Sequence, residues 1–224
     1  MRAEEQPRTP PAREMERRDG CASPRPALAS LPLAVLLWGV AFSWRPVNFW
    51  LLLAVAVALL TAIALAVRGT ALWRERLRTS DVAVGGVSAA VLWGVFWVGD
   101  RLATALFPFA PQQVAAVYAL RDVANPWVIG ALLVLLIGPG EEVYWRGLVQ
   151  WALARRYGPL RGWLLGTAAF AGAHLVSLNP MVVLAATVAG ASWGWLYFRF
   201  GRLWPCVLSH LLWDLAIFLL FPVR

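Results

Sequence analysis

Apolar stretches of helix length alternate along this chain with short breaks that carry arginine, proline or glycine. The runs cover about residues 27–44, 47–67, 82–98, 127–154, 160–178, 181–197 and 203–221. Several approach the roughly 20 apolar residues that a bilayer-spanning helix needs. The pattern predicts an all-α fold, a polytopic membrane helix bundle of about seven (six to eight) transmembrane helices. Residues 101–125 depart from it with Pro108, Pro111, Gln112, Gln113, Arg121 and Asp122. They predict a loop and a short amphipathic helix lying at the membrane interface.

The first 26 residues are rich in Arg, Glu and Pro and almost free of large apolar side chains. Such a segment cannot bury enough surface to fold, so residues 1–26 are expected to form a disordered tail ahead of a transmembrane domain over 27–224. The run at 27–44 follows basic residues and could be the apolar part of a cleaved signal peptide. It is long for that and lacks a clear small-residue cleavage site, so a retained first helix is expected.

Composition sharpens the class. Sixty per cent of the 224 residues are hydrophobic, 14 are Trp, and the mean hydropathy is +0.64. The bilayer is therefore the expected surroundings, in an integral multi-pass protein. The net charge of +8 comes from 20 arginines with no lysine. It reads as a topology signal and not as a nucleic-acid surface. With the N-terminus inside, seven spans put the arginines of the tail and those at 68–78, 155–161 and 199–202 on the cytoplasmic side. Only Arg45, Arg101, Arg121 and Arg224 then fall outside. Cys21 and Cys206 offer neither a disulfide framework nor zinc spacing. An absence of Lys beside abundant Ala, Arg, Trp and Pro suggests a GC-rich bacterial genome, and hence the bacterial cytoplasmic membrane.

Against this background the segment Gly138-Pro139-Gly140-Glu141-Glu142-Val143-Tyr144-Trp145-Arg146 stands out. An ionisable side chain at membrane depth is costly and faces a protein interior or a wet cavity, which marks a functional site by default. Gly and Pro before the glutamates suit a helix start, and i,i+4 spacing brings Glu142 and Arg146 together. Glu141, about 100° round the helix, stays free. Both histidines of the chain also sit in apolar helices with a companion four residues away: Phe170 before His174, and Asp214 after His210. A polar network that only glues helices together would be the plain alternative.

Glu-Glu-x-x-x-Arg, Phe-x-x-x-His and His-x-x-x-Asp, in this order, resemble the three motifs of the CAAX protease and bacteriocin-processing family of intramembrane glutamic endopeptidases. The resemblance covers about residues 137–216, the expected catalytic core. It implies a helical membrane fold in which Glu141 and His174 activate a water for peptide-bond hydrolysis. It further implies that His210 and Asp214 stabilise the oxyanion, and that Glu142, Arg146 and Phe170 support the site. No cofactor is expected. Many members have Asn where this chain has Asp214, and an ionised carboxylate cannot donate to an oxyanion. Asp214 is therefore expected either to remain protonated or, as favoured by its i,i+4 spacing, to accept from His210 and orient it.

Amide hydrolysis needs a base for the water, a donor at the oxyanion and an acid for the leaving amine, and these residue types supply all three. Phe170 is expected to fix the His174 ring, and Gly172 to allow close helix approach. Two rival classes stand beside this one. One is a zinc peptidase with Glu141, His174 and His210 as ligands. The other is a non-catalytic membrane scaffold, immunity or transport protein. The expected partners are the lipid bilayer and a membrane-anchored protein or peptide substrate, with no nucleic acid. The expected substrate is a bacterial C-terminal sorting or anchor segment or a leader segment, ahead of a prenylated tail. A helix running outward from Leu160 would put His174 roughly 10 Å further out than His210, at ~1.5 Å per residue.

Overall fold

The computed structural model describes residues 23–69, 72 and 76–224. Most of the expected tail, residues 1–22, lies outside the described residues, as does Arg74 of the expected cytoplasmic loop. The described chain is helical throughout, without strands. The helices are α1 (Arg25–Trp44), α2 (Phe49–Arg68), α3 (Thr79–Leu106), α4 (Ala110–Tyr118), α5 (Pro126–Tyr157), α6 (Pro159–Ala173), α7 (Pro180–Phe200) and α8 (Leu203–Leu220).

Of these, α1, α2, α3, α5, α7 and α8 are long and apolar enough to cross a membrane. The seventh expected span is α6, an α-helix of 15 residues that tightens into a 3-10 turn at His174–Ser177. At ~1.5 Å per residue its α-helical part rises only about 22 Å, short of the ~30 Å hydrocarbon layer. The interface segment is as expected, with the short α4 and a 3-10 turn at Ala119–Val123. Helix α3, however, extends beyond the expected 82–98 at both ends.

Helix starts are set by side chains that satisfy the first free N–H groups. Asn48 accepts from the backbone of Trp50 and Leu51, Asn125 from Trp127, and Asn179 from Met181 and Val182. Pro126 and Pro180 follow two of these caps, at a position where a missing N–H costs nothing. Gly158 and Gly201, with φ of 91° and 64°, make the turns from α5 into α6 and from α7 into α8.

Helix α5 is the axis of the bundle. Every residue from Gly140 to Leu153 is buried, and α2, α6 and α8 pack around it. A helix apolar around its whole circumference is stable only when covered on all sides, and that coverage is what makes ionisable groups on it tolerable. The outer helices turn Leu36, Leu51, Val87, Val91 and Leu102 outward, the lipid-facing surface of a membrane bundle.

Two of the arginines expected as loop charges are built into one end of the bundle. Arg68 donates to the Gly147 carbonyl at 2.6 Å and lies over the Trp151 ring. Arg202 pairs with Asp81 at 2.6 Å, with both side chains buried. The opposite end is fastened by Asn48 donating to the Val123 carbonyl, Arg121 to the Phe218 carbonyl, and Arg224 paired with Asp100.

Candidate active site

The glutamates lie in mid-helix and not at a helix start. Helix α5 runs unbroken through Gly138-Pro139-Gly140 because it widens into π-helical turns on either side, at Leu133–Ile137 and Trp145–Gln150. A wide turn absorbs the N–H that Pro139 lacks and gives its ring room, so the helix continues where sequence alone reads a break. The glycines serve packing. A Cβ on Gly140 would meet Val57 Cγ1 at 2.5 Å and Thr61 Oγ1 at 2.6 Å on α2, and one on Gly138 would meet the Leu133 carbonyl at 3.0 Å and lie in ordinary contact with Leu211 on α8 at 3.5 Å. Helix α2 is thereby drawn in against the carboxylates.

Glu142 is completely buried and is the hub of the polar cluster. Its Oε1 accepts from Arg146 Nη1 at 3.0 Å and from His210 Nδ1 at 2.8 Å, while its Oε2 has no partner. The expected i,i+4 pair therefore forms, with His210 as a third member that spacing did not reveal. Arg146 also donates to the Gly190 carbonyl at 3.1 Å and lies 4.8 Å from the Phe170 ring centroid. This ties α5 to α7 and α6.

His210 is held on two edges and one face. Beyond Glu142 at Nδ1, its Nε2 lies 3.5 Å from Asp214 Oδ2, longer than an ordinary hydrogen bond but within ion-pair reach. Its ring stacks on Trp193 at 3.7 Å between centroids. Trp193 is anchored in turn by its indole N–H on Ser209 Oγ, which donates to Ser88 Oγ on α3.

His174 closes α6. Its Nδ1 donates to the Phe170 carbonyl at 2.8 Å, and the two rings lie 4.7 Å apart, as the Phe-x-x-x-His spacing anticipates. Its Nε2 accepts from Trp38 Nε1 at 3.2 Å, a contact from α1 that nothing in the sequence announces. Gly172 has no atom within 4 Å of a built Cβ and permits no close approach. That part belongs to Gly190, where a Cβ would meet the Phe170 ring at 2.7 Å.

Glu141, His174, His210 and Asp214 all line one cavity of about 330 Å³. The rest of its wall is mainly apolar and aromatic, with Asp100 as a further acid. Among the described residues the Glu141 side chain makes no hydrogen bond or ion pair. It is thus the carboxylate of the pair that is left open to the cavity. The depth offset expected between the two histidines is bridged, since both face this space; α6 ends early, in its 3-10 turn, at His174. A second groove, of about 560 Å³, runs between α3 and α7 and shares Val95 and Val188 with the cavity. Among the described residues no group of three or more His, Cys, Asp or Glu side chains is arranged to hold a metal ion.

This geometry offers a carboxylate beside two imidazoles in an apolar enclosure, an arrangement suited to moving a proton and meeting a developing negative charge. Residues 123–216 match the protein family described as Type II CAAX prenyl endopeptidase Rce1-like. They include every site residue named from the three motifs and leave α1, α2, α3 and α4 outside. Neither the comparison with curated proteins nor that with solved structures gave a match.

Proposed function

We propose that this chain is an integral multi-pass membrane protease of the CAAX protease family, to whose model residues 123–216 are similar, and that it works by a glutamic mechanism with Glu141 as the base. A water in the cavity gives a proton to Glu141 and attacks the peptide carbonyl carbon. The oxyanion meets the Nε2–H of His210, and Glu141 returns the proton to the leaving amine, so that protons balance over the cycle. His174 receives the second O–H of the water at Nε2, in place of the Trp38 indole N–H, and orients it. Asp214, 3.5 Å from Nε2 of His210, aligns that ring through this long contact and shares the N–H with the oxyanion, so the His210 imidazole is the side-chain donor.

The observation that carries this reading is the contrast between adjacent carboxylates. Glu142 is spent on Arg146 and His210, while Glu141 faces the cavity without a hydrogen-bonding partner among the described residues. The proposed substrate is a membrane-associated C-terminal sorting or anchor segment or a leader segment. Support comes from the apolar wall of the cavity and from the groove between α3 and α7 that adjoins it. The proposed location is the bacterial cytoplasmic membrane with the N-terminus inside. Arg76, Arg78, Arg155, Arg156, Arg161 and Arg199 flank helix ends on that side.

The deciding variant is Glu141→Gln, which keeps size and removes the base. Mass spectrometry of membrane and secreted proteins with and without this gene would identify the cleaved segment. On that segment Glu141→Gln should be slower by a factor on the order of 100 or more, with wild-type melting. Cleavage at the wild-type rate would end the glutamic reading and favour a scaffold role for these residues.

A further inference from the structure

His174 is bonded at both ring nitrogens, and the two partners constrain it differently. The Phe170 carbonyl at 2.8 Å can only accept, so Nδ1 must carry a hydrogen. That carbonyl would accept equally from a neutral ring and from one protonated on both nitrogens. The Trp38 indole N–H at 3.2 Å from Nε2 can only donate, so it is satisfied only when Nε2 is bare. Trp38 is 1% exposed and has no solvent to turn to instead. Two one-way partners on opposite edges thus admit a single protonation pattern, the neutral ring with its hydrogen on Nδ1.

The support around this contact is extensive. The Phe42 ring lies 5.7 Å from the imidazole, and the Ser43 hydroxyl donates to the Val176 carbonyl, which pins α1 to the 3-10 turn that begins at His174. Further along α1, the hydroxyls of Ser30 and Tyr144 meet at 2.9 Å, linking the same helix to the glutamate helix. The charged and titratable groups around the ring are Glu141, His210 and Asp214 in the cavity and Arg146 behind Phe170. None of them is hydrogen-bonded to His174, so Trp38 and Phe170 alone fix where its hydrogen sits.

We propose that Trp38 is a positioning residue of the peptidase site, acting from outside the matched segment to keep His174 Nε2 as an unprotonated acceptor. The proposal rests on the glutamic mechanism, in which His174 receives an O–H of the attacking water. Nε2 has a single lone pair, so the indole N–H keeps it bare in the resting site, and a water O–H, a donor of the same kind, takes its place when the water binds. Helix α1 is on this account part of the active site.

The test is nitrogen NMR of full-length protein in detergent with ¹⁵N-labelled histidine. The chain has only two histidines, and His210→Gln assigns the remaining signals to His174. At neutral pH the wild type should show His174 with one pyrrole-type nitrogen and one pyridine-type nitrogen that accepts a hydrogen bond. Trp38→Phe keeps an aromatic ring and removes the N–H. It should shift the pyridine-type signal toward an unbonded or doubly protonated state while the melting temperature stays near wild type. A wild-type spectrum without any pyridine-type nitrogen would overturn the proposal whatever the variants do. A His174 spectrum unchanged in a folded Trp38→Phe protein would overturn it too. Neither result depends on cleavage, so a failure of the glutamic mechanism, read from Glu141→Gln, remains a separate outcome.

Discussion

Replacing Arg146 by Ala tests the charge balance at the centre of the bundle. The change removes the 3.0 Å bond to Glu142 and the 3.1 Å bond to the Gly190 carbonyl. It leaves a fully buried carboxylate, one oxygen of which already has no partner, with His210 as its remaining donor. Breaking a buried ion pair from one side costs about 3–5 kcal/mol in soluble proteins. For a chain of this size each kcal/mol lowers the melting temperature by about 2–4 °C, so the expected fall is about 6–20 °C. The double change Glu142→Gln with Arg146→Met removes both charges and should recover part of that loss, because an apolar replacement of a whole pair is often neutral or better. Thermal melting of purified protein in one detergent, read beside expression yield, measures both. An Arg146→Ala protein that melts within about 2 °C of wild type would refute the reasoning, since the pair would then contribute no more than an exposed one.

Gly140→Ala should destabilise by about 1–3 kcal/mol, because the added methyl enters the space of two β-branched side chains on α2. Gly172→Ala should be neutral or stabilising by up to about 1 kcal/mol, as open space surrounds it within a helix; melting of the two variants side by side decides. Asp214→Asn should cost less activity than Glu141→Gln, since an amide can still meet His210 at the observed separation. Equal inactivation in a cleavage assay would mean that the carboxylate itself is required. Activity in detergent should survive strong chelators, and loss in chelator restored by zinc would replace the glutamic mechanism with metal-assisted hydrolysis.

The positions of the helices and the presence of ionisable groups at their centre were legible because each rests on a signal with few rivals. Apolar length announces spans, and charges such as Glu141 or Asp214 inside them have few reasons to be there. What was not legible depended on packing. The sequence at Gly138-Pro139-Gly140 is a sound helix start, and only the wide turns on either side let the helix pass through it. Trp38 and Trp193 belong to a set of 14 tryptophans in an apolar chain, so nothing marks the two that touch the histidines. Gly172 and Gly190 look alike in sequence, yet only the second lies against a neighbour. The bond between Glu142 and His210 spans 68 positions of chain, where spacing arguments within one helix have no reach.

The wide turns that bracket the glutamates bear on how this chain tolerates insertions and deletions. A π-helical turn holds one more residue than an α-helical turn, and one residue corresponds to about 100° of rotation. The carboxylates therefore aim into the cavity only because a surplus residue is stored on each side of them, in Leu133–Ile137 and in Trp145–Gln150. Removing one residue from the first stretch would relax it to a regular helix. Everything before it would then swing round by about a quarter turn relative to the glutamate segment. Helix α5 is thus bound to a fixed residue count in its middle. Length variation belongs in the connections between helices, and a change of one residue inside this helix acts as a change of aim.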